Sequence, residues 1–302
     1  TKVVHGSTPE ATGKRARDPA PLKKTVLVSG ATGAIGRATC AALLQEGATV
    51  IGLARDLARL ELLQRDLRLF GRGFVAVQLA GPSEALWDDA IREALACHSP
   101  IDVCVHAMGT LIPGALLELR EREVREIVEA NLLSAVSAVR AIAPHMIARG
   151  GGHIIVVASL GGLVPMPYQS LYSATKFAVR GLCLSLYEEL RPRGVRVSLV
   201  SPGPVRSSML DAEGRDPRAA LAFVGRPASP TNVAAAILGL IRRPRRELVT
   251  PSLHRFVGGI VTAFPGMFGF LFPHLQRLGD RRLQVHVPCC LRGQEVKCGF
   301  LS

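Results

Sequence analysis

From Thr25 onward, short apolar runs alternate with longer stretches in which apolar residues recur every three or four positions. The runs "TVLVS" (25–29), "TVIGL" (49–53), "FVAVQ" (74–78), "IDVCV" (101–105), "HIIVVA" (153–158) and "VRVSLV" (195–200) are rich in β-branched residues. Such runs predict strands buried on both faces. Between them, "AIGRATCAALLQEGA", "SEALWDDAIREALACH", "EREVREIVEANLLSAVSAVRAIAPHMIARG" and "YSATKFAVRGLCLSLYEELRPRG" carry the helical period and predict crossover helices. Strand and helix alternating this often predict a parallel sheet with helices on both faces, a doubly wound α/β fold in a single domain. Ligands of such sheets bind beyond the carboxyl ends of the strands, so chemistry is expected at that edge. A seventh strand is predicted at "ELVTP" (247–251), after a helix starting near Thr231, and no repeat or linker divides residues 25–250.

The pattern changes at both ends. Residues 256–276, "FVGGIVTAFPGMFGFLFPHLQ", hold no charged side chain, but Pro265, Pro273 and four glycines make a poor membrane-spanning helix. Segment 253–280 is therefore expected to cover a substrate or to lie on a membrane surface. Residues 1–24 and 281–302 lack periodicity and are expected to be tails, the first basic and flexible. The net charge of +13 is concentrated in these ends: residues 1–24 hold six basic and two acidic residues, and residues 242–302 hold ten and three. With 5% aromatic residues and no zinc-finger or RNA-binding pattern, nucleic-acid recognition lacks its stacking and base-reading parts. The seven cysteines form no CxxC pair and no Cys/His zinc spacing, so no metal site is expected. The first 24 residues carry no apolar secretory core, which points to the cytoplasm or a membrane surface.

Candidate chemistry starts in the first strand-to-helix turn, "SGATGAIG" (29–36). Glycines at 30, 33 and 36 let backbone N–H groups and a helix N-terminus approach a phosphate. The second strand ends at Ala54 and Arg55, where an acid would suit the ribose of NAD. Arg55, with Arg37 just after the glycine turn, suits the extra phosphate of NADP instead.

In "LYSATKF" (171–177), Tyr172 and Lys176 stand four apart and share a helix face. A tyrosine with a pKa of about 10 is a poor base at neutral pH. An ammonium about 5 Å away, at an effective dielectric near 20, favours the phenolate by about 3 kcal/mol, or roughly two pKa units. Ser159 ends the fifth strand, where a hydroxyl can hold a carbonyl or alcohol oxygen. Asn131 lies within the long "EREV…" helix, where an amide is otherwise unhelpful.

These elements together resemble the short-chain dehydrogenase/reductase family, single-domain type, over about residues 24–250. The resemblance implies a Rossmann-like α/β/α catalytic domain at 25–252 and a tetrad of Asn131, Ser159, Tyr172 and Lys176. It implies that Tyr172 is the general acid or base, that Lys176 lowers its pKa and holds the nicotinamide ribose, that Ser159 positions the substrate oxygen, and that Asn131 keeps a relay water. Cofactor contacts are implied at Gly30, Thr32, Gly33, Ile35, Gly36, Arg37, Arg55, Ala107, Gly109, Tyr172, Lys176, Pro202, Gly203, Val205 and Ser207. It further implies pairing into a homodimer or homotetramer through the helices holding Asn131 and Tyr172.

Several positions depart from the family pattern. Ala34 stands where the turn's second glycine belongs, and the glycine spacing matches the family's extended members. "HAMG" (106–109) replaces Asn-Asn-Ala-Gly, with His106 read as a packed variant, and Ala80 and Gly81 stand where an Asp-Val pair often meets adenine. The expected activity is an NADP(H)-dependent, with NAD(H) less favoured, interconversion of carbonyl and alcohol. Walls poor in charge, in "LGGLVPMPYQS", beyond Met209 and in the C-terminal segment, point to a lipophilic, retinoid-, steroid- or long-chain-like substrate. The alternative reading is a catalytically weak dinucleotide-binding regulator or scaffold.

Overall fold

The computed structural model describes residues 21–71 and 73–286. Seven strands form one sheet: β1 (Thr25–Ser29), β2 (Thr49–Ala54), β3 (Phe74–Gln78), β4 (Val103–His106), β5 (Gly152–Val157), β6 (Val195–Pro202) and β7 (Glu247–Thr250). They are ordered β3-β2-β1-β4-β5-β6-β7 and every neighbouring pair is parallel. The chain starts at the centre with β1, winds outward to β3, then crosses back beside β1 to β4. The strand order reverses between β1 and β4, and in doubly wound sheets ligands bind beyond the carboxyl edge at such a switch point.

Among the described residues ten α-helices accompany the sheet: α1 (Ala34–Gln45), α2 (Leu57–Leu67), α3 (Glu84–Cys97), α4 (Glu121–Val128), α5 (Ser134–Ala148), α6 (Ser170–Leu190), α7 (Ser208–Glu213), α8 (Pro230–Arg242), α9 (Leu253–Ala263) and α10 (Pro265–His286). Period-two alternation sends Leu27 and Ile51 to one face of the sheet, with Trp87 and Ile142, and Val26, Val28 and Val50 to the other, with Leu43 and Ile237. Each such side chain, fully buried, contributes about 1.5–3 kcal/mol. These two apolar layers hold the strand ends, and hence the site, in register.

Helix α2, between β2 and β3, is not among the predicted helices, and four further features differ from the sequence expectations. The long fourth helix is interrupted by a π turn, Glu129–Leu133, which joins α4 to α5. The apolar C-terminal stretch forms two helices that break at Phe264, with Pro265 starting the second. A proline has no N–H to give to a preceding turn but is tolerated at a helix start, so the break falls there. Finally, α10 runs to His286, past the expected boundary at 280, while 287–302 lie outside the described residues. At the other end, residues 1–20 lie outside the described set. Leu22 of the expected N-terminal tail is buried, and its N–H bonds to the Glu46 carbonyl at 2.6 Å.

Candidate active site

The turn after β1 is shaped by close backbone approach. Gly30 has φ +72°, and a Cβ there would lie 2.8 Å from the Ala107 carbonyl oxygen. A Cβ on Gly36 would lie 2.1 Å from the Gly30 oxygen, so α1 packs against its own approach turn only because residue 36 has no side chain. The helix begins at Gly33, with no side-chain cap and no acid in its first turn. Its N-terminal N–H groups are thus left for an anion. Thr32 and Ile35 flank the turn, and Ala107, whose N–H bonds to the Ser29 carbonyl, closes its far side. This cradle fits a dinucleotide pyrophosphate.

The two arginines differ in their surroundings. Arg37 pairs with Asp66 of α2 at 2.7 Å, a contact that the sequence reading did not anticipate. The pair is exposed on both sides, and such pairs are worth at most about 1 kcal/mol, so it competes only weakly with another anion. Arg55 is exposed beyond β2 and has no ion-pair partner among the described residues. The acid nearest to it, Asp56, is used as the N-cap of α2 and accepts from the Arg59 N–H.

Asn131 occupies the π turn and is buried. Its amide is fixed from three sides: Oδ1 accepts from the Thr110 N–H at 2.8 Å, and Nδ2 donates to the Thr110 carbonyl at 2.9 Å and to Thr175 Oγ1 at 3.2 Å. It therefore ties the loop after β4 to α6. Such π turns often mark functional positions. Gly109 lies beneath this junction, where a Cβ would meet Asn131 Oδ1 at 2.8 Å and Lys176 Nζ at 3.2 Å.

His106 is a buried, packed residue. Ser134 Oγ donates to the Ala130 carbonyl at 2.6 Å, which leaves it to accept from His106 Nε2 at 3.2 Å. His106 Nδ1 then accepts from Ser29 Oγ at 2.9 Å. Burial, and secondarily the Lys176 ammonium, hold this imidazole down at about 3, so it is neutral at physiological pH. The departure from the family's Asn-Asn-Ala-Gly is absorbed as a structural contact.

Ser159, Tyr172 and Lys176 meet where the loop after β5 returns into α6. Ser159 is extended, and its Oγ accepts from the Gly161 N–H at 3.1 Å. A Cβ on Gly161 would lie 3.2 Å from the Tyr172 ring, and one on Gly162 would lie 2.7 Å from the Lys176 carbonyl. Both glycines let the loop close onto the helix. Tyr172 and Lys176 are buried in the first two turns of α6, with the ammonium 5.6 Å from the ring centroid. Burial pushes the phenol up to about 12; a hydrogen bond with Ser159 draws it down and the Glu213 carboxylate pushes it up. The expected fall in the tyrosine pKa is thus replaced by a rise, because loss of hydration, with the Glu213 carboxylate, outweighs the hydrogen bond with Ser159. Burial also brings Lys176 down to about 8.

Beyond β6, the Gly203 N–H bonds to the Thr250 carbonyl at 2.8 Å, next to Pro202. Val205 is buried and bridges to Ala228. Ser207, expected at a phosphate, caps α7 in this structure, and its hydroxyl donates to the Val205 carbonyl at 3.0 Å.

Three side chains near this edge were not singled out in the sequence. Glu213, at the end of α7, is buried and accepts from Gln169 Nε2; burial raises its pKa to about 7. The pocket wall, expected to be poor in charge, thus holds one carboxyl close enough to bias Tyr172. Tyr168 takes φ +62° and stacks under Arg218, which is itself held by Glu118 and Asp216. His254 of α9 leans on Gly203, where a Cβ would come within 2.8 Å of its ring. None of the three had a local signal, since each is defined by a partner far along the chain.

Among the described residues no His, Cys, Asp or Glu cluster could hold a metal. Cys40, Cys104 and Cys183 are buried free thiols and Cys97 is exposed. Residues 24–218 match the family model described as short chain dehydrogenase. The chain is 29% identical over 249 residues to "Dehydrogenase/reductase SDR family member 7B" from Danio rerio, covering 78% of this chain and 80% of that one. It resembles a short-chain dehydrogenase structure from Streptomyces avermitilis with a TM-score of 0.70 and 27% identity, covering 83% and 97% of the two chains. A 3-ketoacyl-(acyl-carrier-protein) reductase from Brucella melitensis, complexed with NADH, superposes with a TM-score of 0.68 and 26% identity, covering 75% and 96%. Matched by that family model over residues 24–218 and built on a seven-stranded parallel sheet, this chain belongs to the short-chain dehydrogenase/reductase family of oxidoreductases.

Proposed function

We propose that the chain interconverts a carbonyl and an alcohol on a lipophilic substrate with NADP(H), using Asn131, Ser159, Tyr172 and Lys176. The observation that carries this reading is the convergence of the four side chains at one carboxyl edge, beside a glycine turn fitted to a pyrophosphate. The dinucleotide, when bound, supplies or accepts the hydride. The turn from Gly30 to Gly36 and the α1 N-terminus would hold its phosphates, and Arg55, assisted by Arg37, would meet the ribose phosphate that distinguishes NADP. Tyr172 is protonated at neutral pH and so has a proton to donate to a developing alkoxide in the reductive direction. Ser159 would share that oxygen, Lys176 would place positive charge beside it, and Asn131 keeps the loop after β4 and α6 in fixed relation.

The apolar walls and the α9–α10 cover favour a retinoid-, steroid- or long-chain-like carbonyl. A cytoplasmic location and pairing through the helices that carry Asn131 and Tyr172 belong to the same reading. The test is to follow NADPH and NADH oxidation with a panel of lipophilic ketones and aldehydes. Expected are turnover with NADPH, its loss in Tyr172→Phe, and a preference for NADPH over NADH that shrinks about tenfold or more in Arg55→Ala. Turnover retained in Tyr172→Phe would sink the acid–base assignment; cofactor binding without turnover on any substrate would favour the regulatory alternative.

A further inference from the structure

Helix α9 is apolar on two sides. Gly258 and Val261 face inward, where Gly258 packs on Leu163 and Val261 joins Leu163, Val164 and Val249. Thr262 Oγ1 reaches the Leu163 carbonyl at 3.2 Å. The outward face repeats at helical spacing as Leu253, Phe256, Val257, Ile260 and Phe264, with exposures of 68%, 68%, 44%, 47% and 64%. Phe270 and Leu271 of α10 are exposed as well. Scattered exposed apolar residues are ordinary, but a continuous set of this size marks an interaction surface.

The charges near it decide the partner. No Asp, Glu, Lys or Arg occurs from 256 to 276, and the flanks carry exposed Arg255, Arg277 and Arg281. None of these three has an acidic partner among the described residues, and Asp280 is the single acid between 253 and 286. Two copies meeting through this face would bring like charges together with little to neutralise them. An apolar slab bordered by negative headgroups matches both features.

We infer that α9 and the start of α10 form a seat for an anionic bilayer surface, with the outward face entering the headgroup boundary and the arginines at the phosphate level. This seating stands independently of the reaction proposed above. It has a consequence for that reaction: α9 is anchored on the loop that follows Ser159, and His254 at its start rests on Gly203. A lipophilic substrate would therefore reach the site from the membrane side.

The test is flotation of the full chain with vesicles of phosphatidylcholine alone, and with about one third phosphatidylserine. Its readout is lipid binding, so failure of the seating is distinct from failure of the reaction. Expected is binding to the anionic vesicles that weakens with salt and falls at least about tenfold in Phe256→Glu/Ile260→Glu, with the melting midpoint unchanged. Arg277→Gln/Arg281→Gln leaves the apolar face intact and tests the charge separately; a loss of about fivefold or more is expected for the two arginines together. Wild-type protein that fails to float, or floats equally well in both variants, overturns the inference. So does light scattering showing a dimer that Phe256→Glu/Ile260→Glu converts to monomer while lipid binding is absent, which would make the face a self-interface.

Discussion

Replacing Lys176 by methionine tests how strongly burial acts at the site. The ammonium is 4% exposed as a residue, makes contact with the face of Tyr172 at 5.6 Å, and is held down at about 8 by burial. An ordinary lysine titrates near 10.5. The folded state therefore holds this proton less tightly than the unfolded chain, and wild-type stability rises as pH increases from about 8 to 10.5. Below 8 the full cost applies, and the difference corresponds to an upper bound of about 3 kcal/mol. Losing the cation–π contact returns roughly 0.5–1 kcal/mol of that. Lys176→Met keeps most of the stem and is expected to raise stability at pH 7 by about 1–2 kcal/mol, while turnover is lost. The gain should shrink towards zero by pH 10.5. Urea unfolding of both proteins at pH 7 and near pH 10 measures this. A variant destabilised by the same amount at both pH values would refute the reasoning, because it would assign Lys176 a packing role without an electrostatic cost.

Two further substitutions probe the neighbourhood. Glu213 is raised from 4.5 to about 7, so the folded state holds its proton more tightly; that contribution is present below pH 4.5 and is lost as pH rises through 7. Glu213→Gln keeps the acceptor for Gln169, so unfolding midpoints should match wild type at pH 4.5 and exceed it above pH 7, and the basic limb of the activity profile should move to lower pH as the Tyr172 phenol loses a repelling charge. Gly36→Ala forces a methyl against the Gly30 carbonyl, so a cost of about 3 kcal/mol and a loss of dinucleotide binding are expected, read by thermal unfolding and by quenching of Trp87 or of bound NADPH fluorescence. A fully active, equally stable Gly36→Ala would show that the turn can move.

What the sequence determined by itself is local. Period two and period 3.6 are properties of neighbouring residues, so the strands and crossover helices could be read from them, as could the tight turn at Gly30–Gly36, where backbone sterics demand glycine. Tyr172 and Lys176 share a face for the same reason: four residues make about one helical turn. The tertiary structure decided everything that depends on a distant partner or on burial. Arg37 meets Asp66, 29 residues away, and Asn131 locks onto Thr110 across 21 residues through a π turn that no periodicity announces. Glu213 comes to Tyr172 only because α7 folds over the carboxyl edge. The sign of the tyrosine shift was decided in the same way: a nearby ammonium can be placed from spacing alone, but the hydration lost around the phenol exists only once the walls have closed.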